Sequence, residues 1–208
     1  MFWQKCAKQG SKLKYLTQKL LLLLLAYFIA GCSALPDDKA LYLTKSMGLV
    51  LTVPPTEKVG SIDSHLVEIT TKGESHRFIA QVEYRSNEIA MAAVSPSGVP
   101  LFDFTWFSNK TTEINQYVSL PFVDIRFIIA DMQLCHWPIN IIQSSLLGSN
   151  VRAVQVEDTN DKKAVWQRTI WDNDQIIIKI DKLKGSYQLE NVMRDYSIRL
   201  VNLNKESE

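Results

Sequence analysis

His76-Arg77-Phe78-Ile79-Ala80-Gln81-Val82-Glu83-Tyr84 decides the fold. On an extended chain His76, Phe78, Ala80, Val82 and Tyr84 share one face, and Arg77, Gln81 and Glu83 share the other. Period two over this length marks a strand with one face on a core. Working outward, the same period begins after Ser61. Ile89 to Val94 is apolar on both faces, and Phe102, Phe104 and Trp106 share a face against Asp103 and Thr105. Residues 111–118 form a weaker strand. Lys72-Gly73-Glu74, Arg85-Ser86-Asn87 and Ser95-Pro96-Ser97-Gly98 supply turn chemistry between these runs. Consecutive strands with such short connections predict an antiparallel meander, not βαβ units.

The period then changes. Ile125, Ile128, Ile129 and Met132 stand at helical spacing after Leu120-Pro121, where proline suits a helix start. Trp137-Pro138 ends this helix. Residues 139–147 read as a second short helix with Gly148 as its C-terminal cap. Strands resume at Val151–Val156 and Val165–Trp171, then along Ile176, Ile178 and Ile180, at Tyr187–Asn191 and at Tyr196–Leu203. The expected class is α+β, mainly β. It is a strongly curved antiparallel sheet of about nine or ten strands, a half-barrel, with an inserted helical pair over its open mouth. Such a mouth is a common ligand site.

The N-terminus reads as an address. Residues 1–19 are polar and basic, and residues 20–30 are the unbroken apolar run LLLLLLAYFIA. Gly31-Cys32 closes it. A charged segment, a short apolar segment and small residues make a bacterial secretory signal. The run is about half of what a membrane-spanning helix needs. Ile29-Ala30-Gly31-Cys32 resembles a lipobox, the site at which bacterial lipoproteins are cut and their cysteine acylated. That resemblance implies lipidation at Cys32, with Ser33 in place of the Asp that would retain an enteric lipoprotein in the inner membrane. The expected organisation is a signal peptide over 1–31, an acylated Cys32 with a tether over 32–60, and a folded domain over 61–208. A short helix between Lys39 and Met47 is expected inside the tether. Cys6 leaves with the signal, so Cys135 is the one free thiol of the mature chain and no intrachain disulfide forms.

Composition narrows the function. The 208 residues carry 23 Lys+Arg and 22 Asp+Glu, a formal charge of +1. Lys5, Lys8, Lys12, Lys14 and Lys19 all lie in the signal, which leaves about −4 elsewhere. That argues against a nucleic-acid partner, which needs a basic stripe. No phosphate loop, HExxH, CxxC or G-x-S-x-G pattern is present. His65 and His76 lie at strand beginnings, and His136 lies at a helix end, where it would complement the dipole. No His, Cys and carboxylate group shows metal-ligand spacing in the sequence, so no catalytic residue, metal or cofactor is assigned.

Asp131-Met132-Gln133-Leu134-x-x-Trp137-Pro138, Pro100-Leu101-Phe102-Asp103-Phe104 and the lipobox together carry a further resemblance. They resemble a family of small, uncharacterised Gram-negative lipoproteins whose genes accompany aryl polyene and fatty-acid-like synthases. That family is similar to LolB, the outer-membrane lipoprotein receptor, and more distantly to its periplasmic carrier LolA. The resemblance spans roughly residues 49–203 as an order of elements. It implies a lipid-anchored outer-membrane protein facing the periplasm, which holds acyl chains in an apolar cavity and passes a lipid or lipoprotein onward without covalent chemistry. Implied partners are membrane lipid through acylated Cys32, an acyl or lipoprotein cargo, and a LolA-like carrier. The cavity residues would be Phe78, Phe102, Phe104, Trp106, Ile125, Ile129, Met132 and Trp137, with Gln133 and Trp137 closing the mouth or anchoring the helix. Ser97 stands where LolB-like proteins carry a membrane-inserting apolar residue. Two other readings remain open: a structural lipoprotein with a filled core and a protein partner, and a periplasmic lipid hydrolase.

Overall fold

Lys72 and Gly73 both take positive φ, 50° and 79°, in the computed structural model, which describes residues 40–120, 124–157 and 164–204. Two such residues make the hairpin loop whose twist matches that of the strands it joins. They connect β3 (Ile62–Thr71) to β4 (Glu74–Arg85), with Thr71 opposite Glu74 and Val67 opposite Phe78. The meander continues through β5 (Glu88–Val94), β6 (Pro100–Phe107) and β7 (Glu113–Gln116).

Helix α1 (Ile125–His136) and helix α2 (Ile139–Ser145) follow. A second meander then runs through β9 (Val151–Val156), β10 (Ala164–Asp172), β11 (Gln175–Leu183), β12 (Ser186–Asn191) and β13 (Tyr196–Asn202). The two meanders join where β13 pairs antiparallel with β3, Ile198 opposite Ile69. The result is one ten-stranded antiparallel sheet in the order β7-β6-β5-β4-β3-β13-β12-β11-β10-β9. The mainly-β class, the two inserted helices and the strand count agree with the sequence reading.

Three expectations are corrected. The sheet is open and does not curl strongly into a half-barrel; β7 and β9 are its edges. Its apolar face is hidden by other elements, so closure is not needed to remove that face from water: α1, α2 and a second small sheet supply side chains to the same core.

The stretch expected as a tether, from residue 40 to residue 60, belongs to the fold. It contributes β1 (Ala40–Tyr42) and β2 (Gly48–Val50), which form a three-stranded sheet with β8 (Leu146–Leu147). β1 stands where a short helix was expected: it folds back on β2 as a hairpin, and β2 in turn pairs with the distant β8, so pairing overrides local preference. Leu43, Met47 and Leu49 from this segment are buried, and each such side chain contributes about 1.5–3 kcal/mol. The signal region and Cys32 lie outside the described residues.

The third correction concerns Gly148, expected as a helix cap. Helix α2 stops at Ser145, and Leu146 turns extended to pair with Leu49. Gly148 takes φ 142°, and a Cβ there would stand 2.7 Å from Val151 Cγ1 and 2.8 Å from the Ser46 carbonyl oxygen. Its role is close backbone approach, which brings the N-terminal segment against the start of β9. Gly148→Ala is expected to destabilise the protein by about 2 kcal/mol or more, from φ strain and the backbone clash. A thermal melt followed by circular dichroism checks this: Tm should fall by several degrees.

Candidate functional site

Helix α1 is apolar almost all round. Ile125, Phe127, Ile129, Ala130, Asp131, Met132, Gln133, Leu134 and Cys135 are all buried. A helix enclosed in this way must find a partner for every polar group it carries.

Gln133, 1% exposed, solves this with a two-way pair to the backbone of Thr52. The Thr52 amide donates to Gln133 Oε1 at 3.0 Å, and Gln133 Nε2 donates to the Thr52 carbonyl at 2.9 Å. Trp137 Nε1 donates to Thr52 Oγ1 at 2.9 Å. Gln133 and Trp137 therefore anchor the helix to the segment after β2. Arg168, 3% exposed on β10, takes the carbonyls left over at the C-terminal end of α1. Its guanidinium donates to Leu134 O, to Trp137 O at 3.0 Å and to Gln155 Oε1 at 2.7 Å. Burial pushes the guanidinium down to about 10, still charged at neutral pH.

The N-terminal half of α1 is held by fewer bonds. Asp124 caps it by accepting from the Arg126 amide, and the guanidinium of exposed Arg194 stacks over the Phe127 ring at 3.3 Å. Tyr196 Oη donates to Asp131 Oδ2 at 2.7 Å, and Asn191 Nδ2 donates to Tyr196 Oη at 3.1 Å. Asp131 Oδ1 has no hydrogen-bond partner. Burial raises this carboxyl to about 7 against a small opposing effect from Tyr196 and Arg194.

Between α1 and the sheet lies a narrow, mostly apolar cavity of about 30 Å³, room for about two waters. Val67, Phe78, Val82, Met91, Met132 and Leu189 are among its lining residues. A vestibule of about 190 Å³ adjoins it along the N-terminal half of α1, lined by Asp124, Phe127, Arg194 and Tyr196. Ile69, Ile128, Asp131 and Ile198 line both spaces.

Of the residues expected to line a cavity, Phe78 and Met132 do so. Phe102, Phe104, Trp106, Ile125, Ile129 and Trp137 are buried in the surrounding core instead. Phe102 packs edge-on against Phe78 at 5.8 Å and stacks on Phe104 at 6.4 Å. They support the cavity wall without facing the space.

The cavity also has a polar end that the sequence reading passed over. His65 and His136 are among its lining residues. Their rings lie 5.3 Å apart, and one ligating atom each of Asp63, His65 and His136 falls within 4.8 Å of the others. Asp63 and His65 are two apart on β3 and so share a strand face. That spacing was a readable signal; the approach of His136 was not. His136 Nδ1 donates to the Met132 carbonyl at 2.9 Å, which leaves Nε2 as the acceptor of a neutral ring. Burial, with His65 beside it, pushes His136 down to about 3, and burial lowers His65 as well. Lys58 Nζ pairs with Asp63 Oδ2 at 2.6 Å. Cys135 borders the same space, and burial raises its thiol, which removes it as a nucleophile at neutral pH.

A carboxyl raised in the folded state favours the fold at low pH, and that contribution is lost as pH rises through its folded value. For Asp131 the loss runs from about 4 to about 7. The buried histidines act oppositely, costing stability as pH falls below their unfolded value. The difference between wild type and Asp131→Asn isolates the carboxyl. Asp131→Asn is expected to raise Tm at pH 8 and to raise it clearly less at pH 5, checked by thermal melts across that range.

A family model described as a protein of unknown function, DUF3261, matches residues 63–204. No curated protein matches the sequence. Among solved structures, the chain is similar to one described as an outer membrane lipoprotein-sorting protein domain from Vibrio parahaemolyticus. The identity is 8% and the TM-score 0.32, over 69% of this chain and 84% of that one. A likeness of that degree assigns no function.

Proposed function

Since the chain belongs to the DUF3261 family, whose function is not established, we propose that it is an acyl-chain carrier anchored in the outer membrane through Cys32. It holds the chain beneath α1 and passes a lipid or lipoprotein onward without covalent chemistry. The observation that supports this is the apolar cavity under α1, which shares Ile69, Ile128, Asp131 and Ile198 with the adjoining vestibule. At about 30 Å³ the space is too small for an acyl chain as it stands, so a chain enters when the N-terminal half of α1 lifts. Each methylene moved from water into that interior contributes about 0.8 kcal/mol. Arg194 and Tyr196 line the vestibule, where a polar headgroup would sit. Lipid anchoring, the lipoprotein cargo and a LolA-like partner are part of this proposal and rest on the lipobox and the sequence motifs.

The smallness of the cavity favours a second reading, a filled structural lipoprotein that binds a protein along a sheet edge. β7, with all four residues exposed, is such an edge. Native mass spectrometry of the full-length protein separates the two. The carrier reading predicts a co-purifying acyl lipid or uptake of an added fatty acid. Ile128→Lys, in the wall between vestibule and cavity, is expected to weaken uptake about tenfold or more while leaving circular dichroism unchanged. A folded protein that is lipid-free and takes up no added chain would sink the carrier reading and leave the edge.

A further inference from the structure

The polar end of the cavity serves no purpose that an acyl chain would need. His65 is 3% exposed, and neither of its ring nitrogens has a hydrogen-bond partner. Buried polar atoms without partners are rare in folded proteins and point to a bound ion or water or to a chemical role. Ring packing accounts for part of the arrangement, since His136 lies 4.6 Å from Tyr187 and 5.3 Å from His65. It does not account for the bare nitrogens of His65.

We propose that Asp63, His65 and His136 together bind a divalent transition-metal ion, zinc being the ion that best fits two imidazoles and one carboxylate. Three protein ligands with one open position is the composition of exchangeable and catalytic zinc sites. The donor atoms already lie within 4.8 Å of one another. Zinc bonds of about 2.0–2.2 Å place tetrahedral ligand atoms about 3.3–3.5 Å apart, so side-chain rotations of about 1 Å close the set.

The surroundings are those of a metal site. Ligating histidines usually donate their other ring nitrogen to a carbonyl or carboxylate, which fixes the tautomer. His136 does this through Nδ1 to Met132 O. Ligating carboxylates are themselves hydrogen-bonded; Lys58 holds Asp63 through Oδ2, and a carboxylate has a second oxygen. Neutral imidazole is the ligating form, and burial keeps both rings neutral. Two of the three ligands, His65 and His136, line the cavity, so an ion held by them would lie at its edge, within reach of the polar group of whatever enters there. The site stands whether or not that occupant is an acyl chain.

The test uses the full-length protein, without a polyhistidine tag, stripped with chelator and titrated with Co²⁺. The expected result is visible d–d absorption saturating at one equivalent, without a near-ultraviolet thiolate band, and displaced by one equivalent of Zn²⁺. His65→Gln and His136→Gln are each expected to weaken binding about 100-fold or more, with folding checked by circular dichroism. Should either fail to fold, Asp63→Asn, at the edge of the cluster, gives the same readout. Absence of a d–d signal in the wild type would overturn the proposal. So would unchanged affinity in the folded variants, or a thiolate band abolished by Cys135→Ser.

Discussion

One constraint governs this molecule: helix α1 is buried on nearly every side, so each of its polar groups must be satisfied from elsewhere in the chain. Thr52 answers Gln133 and Trp137 from the N-terminal segment. Arg168 answers the C-terminal carbonyls from the far end of the sheet. Tyr196 answers Asp131 from β13. Three distant stretches are thereby tied to one helix, one of them through Thr52, two residues beyond the end of β2. Removing one partner from such a group leaves a buried polar atom bare, at about 1–3 kcal/mol for a neutral group and more for a charge.

The satisfaction is uneven along the helix. Its C-terminal end carries the Thr52 pairs and the Arg168 fork. Its N-terminal half has a surface cap, one cation stacked on Phe127, and a carboxyl with one oxygen unpartnered. Cavity and vestibule meet on that weaker half, at Ile128 and Asp131. A helix hinged at its C-terminal end and released at its N-terminal end would open the interior without dismantling the sheet. The narrow apolar space and the polar His65–His136 end then belong to one compartment with two chemistries.

Much of this was legible in the sequence, and the reasons are local. The alternation through His76–Tyr84 and Phe102–Trp106 places β4 and β6, because a period of two puts every apolar side chain on one face only when the chain is extended. Ile125, Ile128, Ile129 and Met132 place α1, and Trp137-Pro138 ends it. What was illegible depended on contacts between distant residues. β1 and β2 are three residues each and β8 is two, too short to show a period, and the hairpin of β1 and β2 is extended across the chain by β8. Gly148 reads as a cap until Ser46 is seen beside it. Of the eight residues expected to line the cavity, all are buried but only Phe78 and Met132 face the space. Hydrophobicity reports burial and is silent on which wall a side chain faces. Asp63 and His65 could be paired from their spacing; that His136 joins them required the fold.

The central claim is that the interior opens at the N-terminal half of α1 and nowhere else. Hydrogen–deuterium exchange with and without a bound fatty acid measures it directly. Ligand is predicted to slow exchange in the middle turns of α1, around Ile128 to Met132, while the amides of Leu134 and Trp137 keep the same protection. Bound ligand with no change along α1, or with changes confined to β7 or β9, would contradict it.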